Sequence, residues 1–244
     1  MNLHLQDRVI IVTGGGSGIG AAISLGLIAE GAIPVIFGHQ PLSAAFAAEL
    51  EQQGQSHFIR VELRDEDACR AAVSDVLQRF GRIDGLVNNA GYGLFNPLES
   101  VTEAQFDGLF NVHLKGPFFL TQTVLPLLAD GAAIANLTSA TTRVATAGVA
   151  PYAALKGGLE VLTRYMAKEF GERRIRANAV SPGAIRTELG GGMNDEFEAM
   201  LAGQTALGRV GEPEDVGAVI ATLLSAESTW INAQTIEVAG GYMV

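Results

Sequence analysis

Tyr152 and Lys156 stand four residues apart in YAALK, so on a helix both side chains lie on one face, one turn apart. That pairing has chemical content. A phenol titrates near pH 10 and is a poor base at neutral pH. A neighbouring ammonium favours the phenolate and lowers that pKa. The pair could then take a proton from a hydroxyl or return one to a carbonyl. An isolated YxxxK is more often an exposed helical face, so it needs company. Upstream, VIIV (9–12) runs directly into TGGGSGIG (13–20). There Gly14, Gly18 and Gly20 allow a tight turn, close approach of a pyrophosphate and close helix–strand packing. The helix opening behind them offers unpaired N–H groups and a positive dipole end to phosphates.

The elements that must position these residues follow a repeated pattern: a short β-branched run, a turn, then a helical stretch. VIIV precedes AAISLGLIAEG, PVIF (34–37) precedes LSAAFAAELEQQG, and SHFIRVEL (56–63) precedes EDACRAAVSDVLQRFG. GLVNN (85–89) and AIANL (133–137) each lead into a further helix; RANAV (176–180) and QTIEV (234–238) complete the series. Apolar strands without polar alternation, separated by amphipathic helices, predict parallel strands covered on both faces. The fold class expected is α/β: one Rossmann-like, doubly wound parallel sheet of about seven strands. Ligands of such sheets bind beyond the carboxyl ends of the strands.

The bulk composition limits the alternatives. A chain of 244 residues suits one domain, with no repeat or low-complexity linker to divide it. The formal charge of −10, with no basic run longer than two residues, argues against nucleic acid as a partner. No apolar stretch approaches the ~20 residues needed to span a bilayer, and MNLHLQDRVIIVTGG lacks the basic start of a secretory signal. Cys69 is the single cysteine, which suits a reducing compartment and predicts a cytoplasmic location.

Several motifs then arrive in order: TGGGSGIG, NNAG (88–91), Asn111 in NVHLKGPF, Ser139 in NLTS, YAALK, and Pro182-Gly183. With these the chain resembles the short-chain dehydrogenases/reductases over essentially its whole length. The resemblance implies NAD(P)-dependent hydride transfer between a nicotinamide and a secondary alcohol or ketone, with Tyr152 handling the proton. By the same resemblance Ser139 hydrogen-bonds the substrate oxygen, Asn111 anchors a water linking Lys156 to solvent, and Lys156 also bonds the nicotinamide ribose. The implied cofactor contacts are Gly14, Ser17, Gly18, Ile19 and Gly20 in the glycine turn, and Asn89, Ala90 and Gly91 on the adenosine side. Glu62 and Leu63, ending the third strand, fall beside the adenine; Pro182, Gly183, Ile185 and Thr187 fall beside the carboxamide. No metal is implied, and a homotetramer or homodimer is.

The cofactor's ribose is the open choice. An acidic residue holding the ribose hydroxyls would fall at position 38, about 20 residues beyond the glycine turn. That position is Gly38, and the next is His39. No carboxylate there repels a 2′-phosphate, and an imidazole can donate one hydrogen bond and become charged beside a phosphate. NADP is favoured over NAD, with His39 otherwise a solvated loop residue.

On the substrate side, AIRTELGGGMNDEFEAMLAGQTALGR suggests a lid over 186–210 hinged at Gly190, Gly191 and Gly192. Arg143, four residues after Ser139, and Arg186 are candidates for meeting a polar or carboxylate substrate; Glu188 is more ordinarily a solvated charge, and His113 a packed one. AIPVIFGHQP and VELRDED resemble segments of sugar dehydrogenases such as L-fucose dehydrogenase, favouring a sugar, polyol or other small polar hydroxy compound. The alternatives are a 3-oxoacyl-acyl-carrier-protein reductase or general carbonyl reductase, and, in another class, a non-catalytic dinucleotide sensor. The carrier-linked reading needs a basic docking surface that a chain at −10 is poorly placed to supply. The family's closing V-D-G-G reads VAGG here (238–241), leaving the tail without the aspartate that often ties it down.

Overall fold

A computed structural model describes residues 3–189 and 192–244. Seven strands form one sheet: β1 (Val9–Thr13), β2 (Ile33–Gly38), β3 (His57–Arg60), β4 (Ile83–Asn88), β5 (Leu128–Leu137), β6 (Arg176–Pro182) and β7 (Thr235–Val238). Their order is β3-β2-β1-β4-β5-β6-β7, and every pairing is parallel. The expected Rossmann-like fold is therefore the one observed. The strand order reverses between β1 and β4, which opens a crevice at the carboxyl ends of those two strands.

Among the described residues the α-helices are α1 (Gly18–Ala29), α2 (Ala44–Gln53), α3 (Glu66–Phe80), α4 (Glu103–Phe110), α5 (Gly116–Val124), α6 (Ala150–Glu169), α7 (Asp195–Gly203) and α8 (Pro213–Leu224), and they lie on both sides of the sheet. Because strand side chains alternate between faces, consecutive residues of β1 serve different cores. Val9 and Ile11 pack with Val73, Leu120 and Met166 of α3, α5 and α6. Ile10 and Val12 pack with Ile23, Leu27, Val216 and Ile220 of α1 and α8. All five β1 residues are buried, which is why the strand reads as a continuous apolar run.

Three boundaries differ from the sequence reading. β3 ends at Arg60 rather than at 63. Past it, the Val61 N–H still reaches the Gly38 carbonyl at 3.0 Å, but Asp65 N–H bonds Glu62 O and turns the chain. β5 starts five residues early, at Leu128, across an irregular register between Ile83 and Gly85 of β4. Finally, α4 and α5 are joined through a π-helical turn over Asn111–Lys115, which apolar periodicity does not reveal.

Candidate active site

The glycine turn is shaped by contacts that exclude side chains. A Cβ on Gly14 would come within 2.9 Å of the Ala90 Cα, and one on Gly20 within 2.1 Å of the Gly14 carbonyl. Gly18 has φ +50° and faces the Thr187 methyl at 3.3 Å from where its Cβ would stand, so Thr187 lies over the start of α1. Ser17 makes no side-chain cap bond, and the first turn of α1 holds no acidic residue. A helix start left open in this way, glycine-lined and free of carboxylates, fits a pyrophosphate.

Asn89 knits the NNAG segment to this turn. Its amide donates to the Thr13 carbonyl at 2.9 Å and the Gly14 carbonyl at 3.2 Å. Thr13 Oγ1 in turn accepts from the Asn89 and Ala90 N–H groups at 3.0 Å each. The amide nitrogen that the resemblance directs toward adenosine is thus used to join two loops. Gly91 plays a spacing role, since a Cβ there would lie 2.6 Å from the His113 ring.

At the end of β2 the imidazole of His39, with Gln40, Arg60, Val61, Glu62 and Ala68, lines a cavity of about 440 Å³. The register pairs Gly38 with Arg60, and Arg60 Nε donates to the His39 carbonyl at 3.1 Å. Sequence reading missed Arg60, because its place beside Gly38 depends on strand register and not on chain proximity. Glu62 is held by Arg64 at 2.9 Å, and the Arg64 hydrogen bond lowers its pKa against the opposing effect of burial. Leu63 packs into the core below the cavity. Pro182 ends β6 and is buried; Gly183 packs on Ala239, whose methyl would meet its Cβ at 2.8 Å. Ile185 is buried and bridges to Gly211, while Ile19, in the first turn of α1, packs beside the α8 core.

Beyond β5, Ser139 caps a short 3₁₀ turn; its hydroxyl accepts from Thr141 N–H at 3.2 Å and lies 2.9 Å from Thr141 Oγ1. Tyr152 sits in the first turn of α6, after Pro151, where the helix dipole favours negative charge. Lys156 follows one turn on, 4% exposed, donating to the Leu137 carbonyl at 2.6 Å. Its ammonium lies 5.7 Å from the Tyr152 ring centre. Burial depresses the Lys156 pKa to about 7. Burial also raises that of Tyr152, opposed by a hydrogen bond from the Ser139 side chain. The sequence expectation of a lowered phenol pKa is therefore reversed in the protein alone: desolvation of Tyr152 outweighs the Ser139 hydrogen bond.

Asn111 opens the π-helical turn, and its carbonyl accepts from Gly116 N–H. The side chain of that turn that packs on Tyr152 is His113, with ring centres 5.0 Å apart and planes at 86°. His113 is a packed histidine, as expected, but packed against the tyrosine.

Both arginines that the sequence offers for a polar or carboxylate substrate are ion-paired within the fold. Arg143 grips Glu237 through two bonds, of 2.5 and 3.1 Å, and donates to the Tyr242 and Met243 carbonyls at 2.7 and 3.1 Å. Arg186 pairs with Glu198 of α7 and, at 3.1 Å, with Glu212. Each guanidinium already has carboxylate partners. In the segment expected to form a lid, α7 is observed; Gly190 and Gly191 lie outside the described residues, and Gly192 adopts φ +82°. Among the described residues, no helix is long and apolar enough to cross a membrane.

Comparison with known proteins places this geometry in company. The enoyl-(acyl carrier protein) reductase family model matches residues 14–243. The chain is 34% identical to a 7alpha-hydroxysteroid dehydrogenase of Bacteroides fragilis, over 99% of this chain and 96% of that one. It is 35% identical to a 3-oxoacyl-(acyl-carrier-protein) reductase of Thermotoga maritima, over 99% and 100%. Among solved structures, a short-chain dehydrogenase/reductase from Serratia marcescens superposes with a TM-score of 0.91 at 31% identity, covering 98% of this chain and 99% of that one.

Proposed function

The chain belongs to the short-chain dehydrogenase/reductase family, enzymes that act on CH–OH or carbonyl groups with a nicotinamide cofactor, and on that premise we propose that it interconverts an uncharged secondary alcohol and its ketone. The observation that carries this reading is the convergence of Ser139, Tyr152 and Lys156 at the carboxyl end of β5 and the start of α6. A bound nicotinamide supplies or accepts the hydride. Ser139 holds the substrate oxygen, Tyr152 donates its proton in ketone reduction or removes one in alcohol oxidation, and Lys156 stabilises the phenolate that results. A Tyr152 pKa raised by burial keeps the phenol protonated through neutral pH. On account of the tyrosine, ketone reduction falls in alkali, whereas alcohol oxidation gains as pH rises.

The open start of α1, with Gly14, Ser17, Gly18, Ile19 and Gly20, would hold the pyrophosphate, and Thr187 would close over it. NADP is the cofactor this reading favours, on the support of His39 and Arg60 beside a carboxylate-free Gly38. The pairing of Arg143 and Arg186 with carboxylates supports a neutral substrate, a sugar, polyol or similar small hydroxy compound. The Thermotoga relative favours a second reading, reduction of a 3-oxoacyl chain. Exposed Phe106, Phe110, Phe118, Val161 and Tyr165 on α4, α5 and α6 support a homo-oligomer. Residues 186–210 serve as the lid, and the single buried cysteine, Cys69, suits the cytoplasm.

The test is a panel of sugars, polyols, hydroxy acids and β-ketoesters assayed at 340 nm with both cofactors, on the protein and on Tyr152→Phe. Loss of the phenolic oxygen lowers kcat by about 10²–10⁴-fold, while cofactor affinity, read by fluorescence quenching, stays within about threefold. Unchanged turnover in the variant overturns the mechanism.

A further inference from the structure

His113 is a buried titratable group that the mechanism above does not use. It is 1% exposed and belongs to the π-helical turn, a distortion that recurs at functional sites. Three observations define its state. Its Nε2 lies 2.9 Å from the Tyr92 carbonyl and 3.4 Å from the Tyr92 N–H. The shorter contact needs a proton on Nε2, so the neutral ring carries its acceptor lone pair on Nδ1. That Nδ1 is buried and has no hydrogen-bond partner among the described residues. A buried acceptor left unpaired costs about 1–3 kcal/mol, so such groups seldom persist without a donor.

Lys156 and His113 share a neighbour: the ammonium lies 5.7 Å and the imidazole 5.0 Å from the Tyr152 ring centre. The ammonium of Lys156 has three protons, and one of them is given to Leu137. Lys156 also acts electrostatically on His113, and this effect, after burial itself, depresses the imidazole pKa to about 3. The groups facing the imidazole are Tyr92 from the loop after β4, and Tyr152 and Lys156 from α6. Gly91 keeps the necessary space, since any side chain there would enter the ring.

We propose that His113 is a positioning residue of the proton path: its Nδ1 accepts a hydrogen bond relayed from Lys156 through one water, and so holds the ammonium charged beside Tyr152. The proposal rests on the oxidoreductase reading above and adds to it a second fixed partner for the lysine. Desolvation alone favours a neutral Lys156, which would leave the Tyr152 phenolate unsupported. A second acceptor for the ammonium opposes that loss.

Three variants separate this role from packing. His113→Phe keeps a ring against Tyr152 but has no acceptor. His113→Asn keeps an acceptor near the Nδ1 position, and His113→Gln keeps one near Nε2. The expected result is a fall in kcat of about tenfold or more in the Phe and Gln variants, with the alkaline rise of alcohol oxidation moved to higher pH. The Asn variant recovers kcat to within about threefold and restores the profile. Equal loss in all three variants, or a Phe variant with wild-type kcat and profile, overturns the proposal. Thermal melting and cofactor binding of each variant identify any that fail to fold. A readout without turnover is ¹⁵N NMR of the imidazole in the otherwise unaltered protein. An Nε2–H ring that stays neutral from pH 7 to 5, with Nδ1 shifted as a hydrogen-bond acceptor, supports the proposal; an Nδ1–H ring or a charged one overturns it. If the substrate panel gives no turnover, the oxidoreductase reading fails while the imidazole spectrum still decides the state of His113.

Discussion

At the scale of single residues, the chemistry-bearing set was legible because it lies in short local patterns. Tyr152 and Lys156 need only helical spacing, and Ser139 lies just past an apolar strand. What stayed hidden depends on neighbours distant in the chain. Arg60 is the clearest case: attention falls on Gly38 and His39, yet the β2–β3 register sets Arg60 opposite Gly38. Its guanidinium can meet a 2′-phosphate with two bonds, which a neutral imidazole cannot match. Arg60→Ala is therefore expected to lower the NADP/NAD ratio of kcat/KM by about tenfold or more. His39→Ala should lower it less, by about two- to fivefold. A ratio unmoved in the Arg60 variant, measured with both cofactors at fixed ionic strength, would remove the basis for favouring NADP. Arg143 and Arg186 teach the converse. From sequence they are unattached cations; in the fold their carboxylate partners come from β7, α7 and the residue before α8.

At the scale of elements, the strands were legible from apolar runs and the helices from periodicity. The polar ladder that fixes α6 was not. Asn88 of β4 donates to the Asn136 side-chain Oδ1 at 2.8 Å; Asn136 of β5 donates to Thr163 Oγ1 at 2.8 Å; and Thr163 of α6 donates to the Leu159 backbone carbonyl at 2.7 Å. All three side chains are buried. In sequence nothing links the three, and only β4–β5 register aligns Asn88 with Asn136. The ladder runs from the sheet to the helix that carries Tyr152 and Lys156, so it sets the helix's depth. Asn136→Ala removes two buried hydrogen bonds at once, leaving Asn88 only its 3.3 Å bond to Thr121 and Thr163 only its bond to Leu159, at a cost of about 2–4 kcal/mol. For a chain this long, that is a fall in Tm of about 5–15 °C. Turnover at a temperature where the variant remains folded should fall further than cofactor affinity. A variant that melts with the wild type would mean that apolar packing alone holds α6.

At the scale of the whole molecule, the doubly wound sheet was readable from one end of the chain to the other, but the fate of the tail was not. The sequence has Ala239 where relatives often carry an aspartate, which suggested a loose C-terminus. The fold supplies a different fastening. Ala239 packs on Gly183, and the Ala206 and Leu207 N–H groups bond the Gly241 and Gly240 carbonyls at 3.1 Å each. Met243 N–H bonds the Gln204 carbonyl at 2.9 Å, and Arg143 closes the circuit by holding Glu237, Tyr242 and Met243 at once. The tail thus joins the loop that follows Ser139 to the segment that follows α7, on both sides of the candidate site. Arg143 and Glu237 are both partly exposed, and exposed ion pairs contribute little to global stability. Their effect belongs instead to local order at the site. Arg143→Ala is expected to leave Tm within about 3 °C of the parent. It should hasten limited proteolysis around Tyr242 and Met243, and raise KM by about three- to tenfold with a smaller change in kcat. Glu237→Gln, which keeps the shape of the side chain and removes its charge, should reproduce the effect in weaker form. A large loss of Tm with unaltered KM would make the latch a structural strut; unaltered proteolysis and KM would show that the backbone bonds to 204–207 hold the tail unaided.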